Sequence, residues 1–320
     1  MTRTIICPIP SHLRPTIVYA RSRKGFDFSR TRGLLRIMRG AYLKPDRNRM
    51  RWEQRFIVSL ARAVAAMQVL PSARCLTHTS AALVQGLAMW TQEPDVYLSF
   101  PSNPRTTTAR LPLFRFPASG VPKPVERVEP DGRQVLLYRR RLDLDDDEIQ
   151  VVGGVPVTRA LRTAFDCACD EPPFNALSIA DSALRQYCGP DPWNRGACRD
   201  KEKQARAYWK RLVSRYRGRK GIAQARAVLA AASPWAVLPG ESVLRWMVLV
   251  LGLPEPVLQY RVDIRTGERF IDLCWPELRI AVEFDGRLKY RTGDDVFAEK
   301  LRQDDIQAQG WIFLRVTWED

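Results

Sequence analysis

Histidine is nearly missing from this chain, which carries only His12 and His78. The seven cysteines, Cys7, Cys75, Cys167, Cys169, Cys188, Cys198 and Cys274, include no CxxC pair. Neither a zinc site nor a disulfide framework is therefore expected. No apolar run exceeds Trp246 to Leu253, far short of the roughly 20 residues of a membrane-spanning helix. Met1 to Pro10 has no secretory apolar stretch. These absences point to a cytoplasmic protein that does not contact the membrane. No repeated, compositionally biased segment is present either, so disorder on the scale of a domain is not expected. With 320 residues, 45% of them hydrophobic, the chain has material for more than one core, and two or three domains are expected.

What the sequence has in excess is positive charge. Lys and Arg total 51 against 35 Asp and Glu, a net +16 with a pI near 9.9. Such a field attracts polyanions, nucleic acid above all. The charge is uneven: residues 240 to 320 hold 11 basic and 15 acidic residues, which leaves 40 basic and 20 acidic residues in 1 to 239. A basic body joined to an acid-rich module suits a nuclease, because carboxylates hold the divalent metals of phosphodiester hydrolysis. On charge alone, a solvated acidic surface explains it better.

Pro8, Pro10, Pro15, Gly25 and Gly33 break the first 50 residues. Leu34 to Leu43 reads as two strands with a turn at Arg39-Gly40. Phe56, Leu60, Val64 and Met67 mark one face of a helix over Trp52 to Gln68, and Thr79 to Trp90 reads as a second, short helix. Val96 to Phe100, Leu111 to Phe116, Val135 to Tyr138 and Ile149 to Val152 read as strands, and Thr158 to Cys169 as a helix. A charged helix between Arg199 and Gly221 ends in RYRGRKG and lies in a connecting region. Beyond Pro239 the order is a helix (Glu241 to Leu251), strands at Val257 to Ile264, Glu268 to Trp275 and Arg279 to Asp285, a helix from Val296 to Gln309 stopped by Gly310, and a strand from Trp311 to Thr317. This αβββαβ order predicts a mixed sheet with helices on its faces, an α/β (α+β mixed) fold.

Within that module, Asp272 interrupts an apolar strand, where a lone carboxylate is costly to bury and Asp is disfavoured. Glu283 and Asp285, two apart on the next strand, share a face. Gly286 then breaks the strand, Lys289 follows, and Glu241 opens the preceding helix. Asp272 and Glu283 on neighbouring strands could hold Mg²⁺ or Mn²⁺ in an oxygen cage. Each residue also has an ordinary explanation. Asp285-Gly286 is a hairpin signal, Glu241 and Arg245 have the spacing of a surface ion pair, Gln259 is neutral evidence, and a lysine in a basic protein says little.

These residues resemble a known group. ESVLR, FIDLCWPE, VEFDGRLKY, EKLRQDD and GWIFLRVTW, spread over residues 241 to 318, are similar to the very-short-patch-repair-like branch of the PD-(D/E)xK restriction-endonuclease superfamily, especially its actinobacterial domains of unknown function. The resemblance implies a restriction-endonuclease-like fold with metal-binding acids at Asp272 and Glu283 and a helix acid at Glu241. Asp285 stands where that superfamily usually has lysine, so Lys289 would have to reach back into the site.

A second resemblance covers residues 34 to 188. MRGAYLKP, LTHTSAALVQGL, VYLSFP and GGVPVTRALRTAFDCA are similar to AbiEi-type antitoxins of type IV toxin-antitoxin systems, which implies an amino-terminal DNA-binding winged helix with RGAYL at its wing and a cognate toxin as partner. The prolines upstream predict a truncated winged helix. His78 is expected to start a helix or pack in a core. The resulting division is residues 1–50 (basic, winged-helix remnant), 51–188 (antitoxin-like), 189–232 (basic helical connector) and 233–320 (restriction-endonuclease-like).

Two function classes follow. In the first the chain is a metal-dependent DNA endonuclease in which Glu241, Asp272, Glu283 and Lys289 are catalytic and Asp272, Glu283 and Asp285 bind the metal. In the second it is a non-catalytic, DNA-binding, antitoxin-like transcriptional regulator with a degenerate nuclease module. In both, Arg36, Arg39, Arg139, Arg140, Arg141, Arg217, Arg219 and Lys220 are candidate contacts to nucleic acid.

Overall fold

A computed structural model describes residues 4–5, 8–20, 33–125, 132, 134–265, 267–284 and 303–317. The chain divides into two compact units. Met1–Leu87 and Thr91–Cys167 form the first, and Ala88–Trp90 and Ala168–Asp320 form the second. Both mix helices with sheet, so the α+β class expected from the pattern is the observed one.

The first unit contains, in order, β1 (Thr4–Ile5), β2 (Thr16–Tyr19), β3 (Leu35–Met38), β4 (Ala41–Lys44), α1 (Arg51–Val69), β5 (Cys75–Leu76), α2 (His78–Gln85), β6 (Val96–Phe100), β7 (Thr108–Arg110), β8 (Phe114–Arg115), β9 (Lys123–Pro124), β10 (Leu136–Arg141), β11 (Ile149–Val152), β12 (Val155–Thr158) and α3 (Ala160–Asp170), whose last turn crosses into the second unit. A seven-stranded mixed sheet runs β1-β11-β12-β5-β6-β10-β7, and β2-β4-β3 form a separate antiparallel sheet. The turn between β3 and β4 falls at Arg39-Gly40, where Gly40 takes φ +81°, a conformation that costs glycine little. Between residues 8 and 50 the described segments hold a 3₁₀ turn at Ser11–Leu13 and no α-helix. The strand expected over Leu111 to Phe116 forms only at Phe114–Arg115.

Charged groups inside this unit are satisfied in pairs, as burial demands. Arg162, 1% exposed, donates to Glu148 at 2.6 Å and to Asp166 at 3.1 Å. His78 is the first residue of α2, fully buried and stacked on Tyr97 at 4.5 Å between ring centroids, which accords with a helix-start or packing role.

The second unit contains α4 (Pro173–Cys188), α5 (Arg199–Arg215), α6 (Ile222–Ala231), α7 (Pro239–Val250), β13 (Val257–Ile264), β14 (Gly267–Trp275), β15 (Ile280–Phe284), a helix α8 described at residues 303–308, and β16 (Ile312–Val316). The sheet runs β13-β14-β15-β16, with antiparallel pairs between β13, β14 and β15 and a parallel pair between β15 and β16. The order expected from residue 241 onward is thus observed in the described residues. The boundary expected at residue 188 falls at Cys167/Ala168 instead. The reason is Asp181 on α4, whose Oδ2 accepts from Arg245 Nη1 at 2.8 Å and from Ser242 Oγ at 2.7 Å, both on α7. Arg245 is 1% exposed, so the surface pair of Glu241 with Arg245 is corrected: Arg245 is interior and binds Asp181 and the Ala231 carbonyl.

All six cysteines among the described residues are buried, and no disulfide joins them. Among the described residues no helix is long and apolar enough to cross a membrane.

Candidate active site in the carboxy-terminal sheet

The strands of the second unit set one polar row across an otherwise apolar sheet. β14 and β15 pair Trp275 with Ile280, Cys274 with Ala281 and Leu273 with Val282. One more step in this register sets Asp272 across from Glu283, and directly opposed cross-strand positions have Cβ atoms about 4.5–5.5 Å apart. On the other side, β13 and β14 pair Leu258 with Leu273 and Tyr260 with Ile271, which sets Gln259 across from Asp272. Glu283 in turn pairs with Arg315 on β16. Gln259, Asp272, Glu283 and Arg315 therefore stand side by side, one from each strand.

The ladder is interrupted at this row. Asp272 turns its carboxylate toward both neighbouring strands. Its Oδ1 accepts from the Gln259 side-chain amide at 3.3 Å and its Oδ2 from the Phe284 backbone N–H at 3.4 Å. The carboxylate thus takes a donor that a longer β14–β15 ladder would pair with a carbonyl. Gln259 has φ +48°, one of three positive values among described non-glycine residues. Such a backbone costs about 1–3 kcal/mol and marks sites where the surroundings enforce it. Glu283 is 2% exposed, whereas Asp272 is partly exposed.

Glu241 is placed differently. It is 1% exposed, and its carboxylate reaches back to the start of its own helix, accepting from the backbone N–H groups of Val237 at 2.9 Å and Leu238 at 3.2 Å. This is the N3 half of a capping box. The adjoining Gly240 packs against the Phe284 ring so closely that a Cβ there would overlap it, so the helix start abuts the end of β15. Asp285 and Lys289 lie outside the described residues, and Asp285 is therefore not counted with Asp272 and Glu283.

No group of three His, Cys, Asp or Glu side chains is arranged around a metal position among the described residues. Mg²⁺ does not require one. It keeps several waters and commonly takes one or two carboxylates together with substrate phosphates. Two neighbouring carboxylates beside an amide form an all-oxygen donor set, which fits Mg²⁺ or Mn²⁺.

Relatives occur in Mycobacterium tuberculosis. Over 174 residues the chain is 29% identical to the uncharacterized protein MT2308 of strain CDC 1551 / Oshkosh and, to the same extent, to the uncharacterized protein Rv2248 of strain H37Rv. The match covers 54% of this chain and 58% of each relative, so the chain spans little more than half the length of these curated proteins. No protein-family model and no solved structure matches the chain.

The candidate nucleic-acid residues separate by environment. In the first unit Arg36 and Arg39 are exposed on the β3–β4 hairpin, as is Arg141 at the end of β10. Arg139 and Arg140 are half-buried, and the Arg140 guanidinium lies 5.4 Å from the Tyr97 ring centroid and 5.3 Å from that of Tyr138. The three arginines of this run therefore differ in exposure. In the second unit Arg217 and Lys220 are exposed after α5, whereas Arg219 is ion-paired with Asp170 at 2.7 Å. Sequence reasoning weighed Gln259 as neutral and did not reach Arg195. Gln259 could have been found from its alignment with Asp272 in the hairpin register, but Arg195, in the turn before α5, left no signal.

Proposed function

We propose that the chain is a metal-dependent endonuclease acting on DNA. The observation that carries the reading is the Gln259–Asp272–Glu283 row, in which two acids take facing positions on adjacent strands one step past the last β14–β15 pair. Asp272 and Glu283 would hold Mg²⁺ or Mn²⁺, and the metal would supply Lewis-acid polarisation of a phosphate and a water made more acidic. The Gln259 amide fixes the direction of the Asp272 carboxylate. Arg315 is the β16 register partner of Glu283, and its guanidinium donates to the Gln303 side chain at 3.3 Å. Exposed arginines of the basic first unit would supply affinity for the phosphate backbone.

The test is cleavage of supercoiled plasmid by the purified chain in Mg²⁺, in Mn²⁺ and in EDTA. Cleavage restricted to the metal samples and lowered at least about 100-fold by Asp272→Asn or Glu283→Gln is the expected result. Variants that cleave as well as the parent would overturn the assignment of these acids.

One observation favours a second reading. The Glu241 carboxylate is occupied in capping its own helix, which leaves two described acids at the row. A DNA-binding, antitoxin-like regulator with a cognate toxin as partner would bind DNA equally in EDTA and in metal and cut it in neither.

A further inference from the structure

Arg195 reaches the polar row from outside the sheet. It begins a short 3₁₀ turn, Arg195–Cys198, between α4 and α5, in the stretch the sequence reads as a connector. Its Nη1 donates to two successive strand carbonyls, Leu258 at 3.0 Å and Gln259 at 3.1 Å. The guanidinium carbon lies 3.9 Å from the centroid of the buried Trp235 ring, a cation–π contact that fixes the plane of the fork. Trp193, two residues earlier, sits edge-on to Phe270 at 4.9 Å between ring centroids. The turn is therefore anchored to both strands of the β13–β14 hairpin.

The carbonyl that Arg195 holds belongs to the residue with the unusual backbone. Gln259 is left-handed at φ +48°, and the neighbouring cross-strand pairs on either side are regular. Glycine would adopt that conformation with little cost, so stability alone does not explain a glutamine here. What glutamine adds is an amide, and that amide donates to Asp272 Oδ1.

We infer that Gln259 is a positioning residue for Asp272, and that Arg195, braced on Trp235, holds Gln259 in the left-handed conformation this requires. The use of the device rests on the nuclease reading, while the clamp itself stands on the geometry of Arg195, Trp235, Gln259 and Asp272. A fold-stabilising contact and a device for the site make different predictions: the first matters to melting alone, the second to turnover in a protein that melts normally.

Two measurements on the full chain test it. The first is a thermal cycle of the parent, Gln259→Gly, Arg195→Met and the double variant. Gln259→Gly should keep or raise Tm, because glycine accepts the backbone. Arg195→Met should lower Tm, and by clearly less in the Gln259→Gly background, where nothing left-handed needs holding. Strictly additive changes would overturn the clamp. The second is steady-state cleavage of DNA in Mn²⁺. Gln259→Gly should lower kcat by about tenfold or more with KM for DNA unchanged, and a kcat equal to that of the parent would overturn the positioning role. A parent chain that shows the thermal coupling but cleaves DNA in neither Mg²⁺ nor Mn²⁺ overturns the nuclease reading and sustains the clamp, so the two failures are distinguishable.

Discussion

Asp181 and Arg245 meet 2.8 Å apart inside the second unit, each side chain 1% exposed. Burial pushes the Asp181 carboxyl pKa up, and Arg245, the Ser233 backbone N–H and the Ser242 hydroxyl pull against that rise. Removing one member of such a pair leaves the other charge buried, at about 3–5 kcal/mol. Asp181→Ala and Arg245→Met should each lower unfolding free energy by that order in urea titrations. The double replacement Asp181→Leu with Arg245→Met should cost less than the sum of the single ones.

The same pair decides where the chain can be cut. A fragment of residues 233–320, the domain as the sequence alone delimits it, keeps Arg245 and loses Asp181. It should lack a cooperative melt by circular dichroism, and a fragment of residues 168–320 should retain one.

Glu241 caps its own helix, so its removal should be felt in stability. Glu241→Ala loses two charge-assisted bonds to backbone N–H groups, each worth roughly 1.5–3 kcal/mol, and should melt well below the parent. If its role is confined to the cap, the Tm gain on adding Mg²⁺ should be the same in Glu241→Gln as in the parent. A gain abolished in Glu241→Gln would instead place this carboxylate at the metal.

The exposed arginines of the β3–β4 hairpin and the ion-paired Arg219 should separate in a salt titration of DNA affinity. Removing an arginine that neutralises one phosphate flattens the slope of log affinity against log salt by about 0.9. Arg36→Ala with Arg39→Ala should reduce the slope by up to roughly 2. Arg219→Ala, which breaks the pair with Asp170, should alter melting and leave the slope alone.

Burial pushes the Cys75 thiol up to about 12 and the Cys274 thiol likewise to about 12. In the unfolded chain a thiol ionises near 8.5. The unfolded state therefore sheds protons first, and stability should fall as pH rises from about 9 toward 12, by at most ~1.4 kcal/mol per pH unit for each thiol. Urea titrations at pH 8, 9 and 10 should show the decline, smaller in Cys75→Ala. At pH 8 both native thiols should resist iodoacetamide.

Legibility from sequence followed periodicity. The β13–β14 hairpin was readable because apolar residues alternate along β13 from Leu258 to Ile264, and α1 because its apolar residues recur on one face. Helix α4 was not read. Its inward side includes Asn175, Ser178 and Asp181, polar residues that blur a hydrophobic stripe, although Pro172-Pro173 marked its start. β5, β8 and β9 have two residues each, too few to show a period. At the site, Asp272 stood out because an acid in an apolar strand needs a partner. The partner, Gln259, did not, since a glutamine in a strand is unremarkable until its φ is known. Arg195 was unreadable in principle, because its role depends on carbonyls more than 60 residues away.

Gly240 ties the start of α7 to the end of β15. Because the Phe284 ring occupies the space a side chain at 240 would need, any larger residue there must displace Phe284, and with it the backbone N–H that Asp272 accepts from. Position 240 thus carries no functional group and still sets a tolerance for the acids. If the chain is the nuclease proposed above, a search for loss-of-activity substitutions would recover position 240 beside Asp272 and Glu283, as an error in alignment between helix and strand.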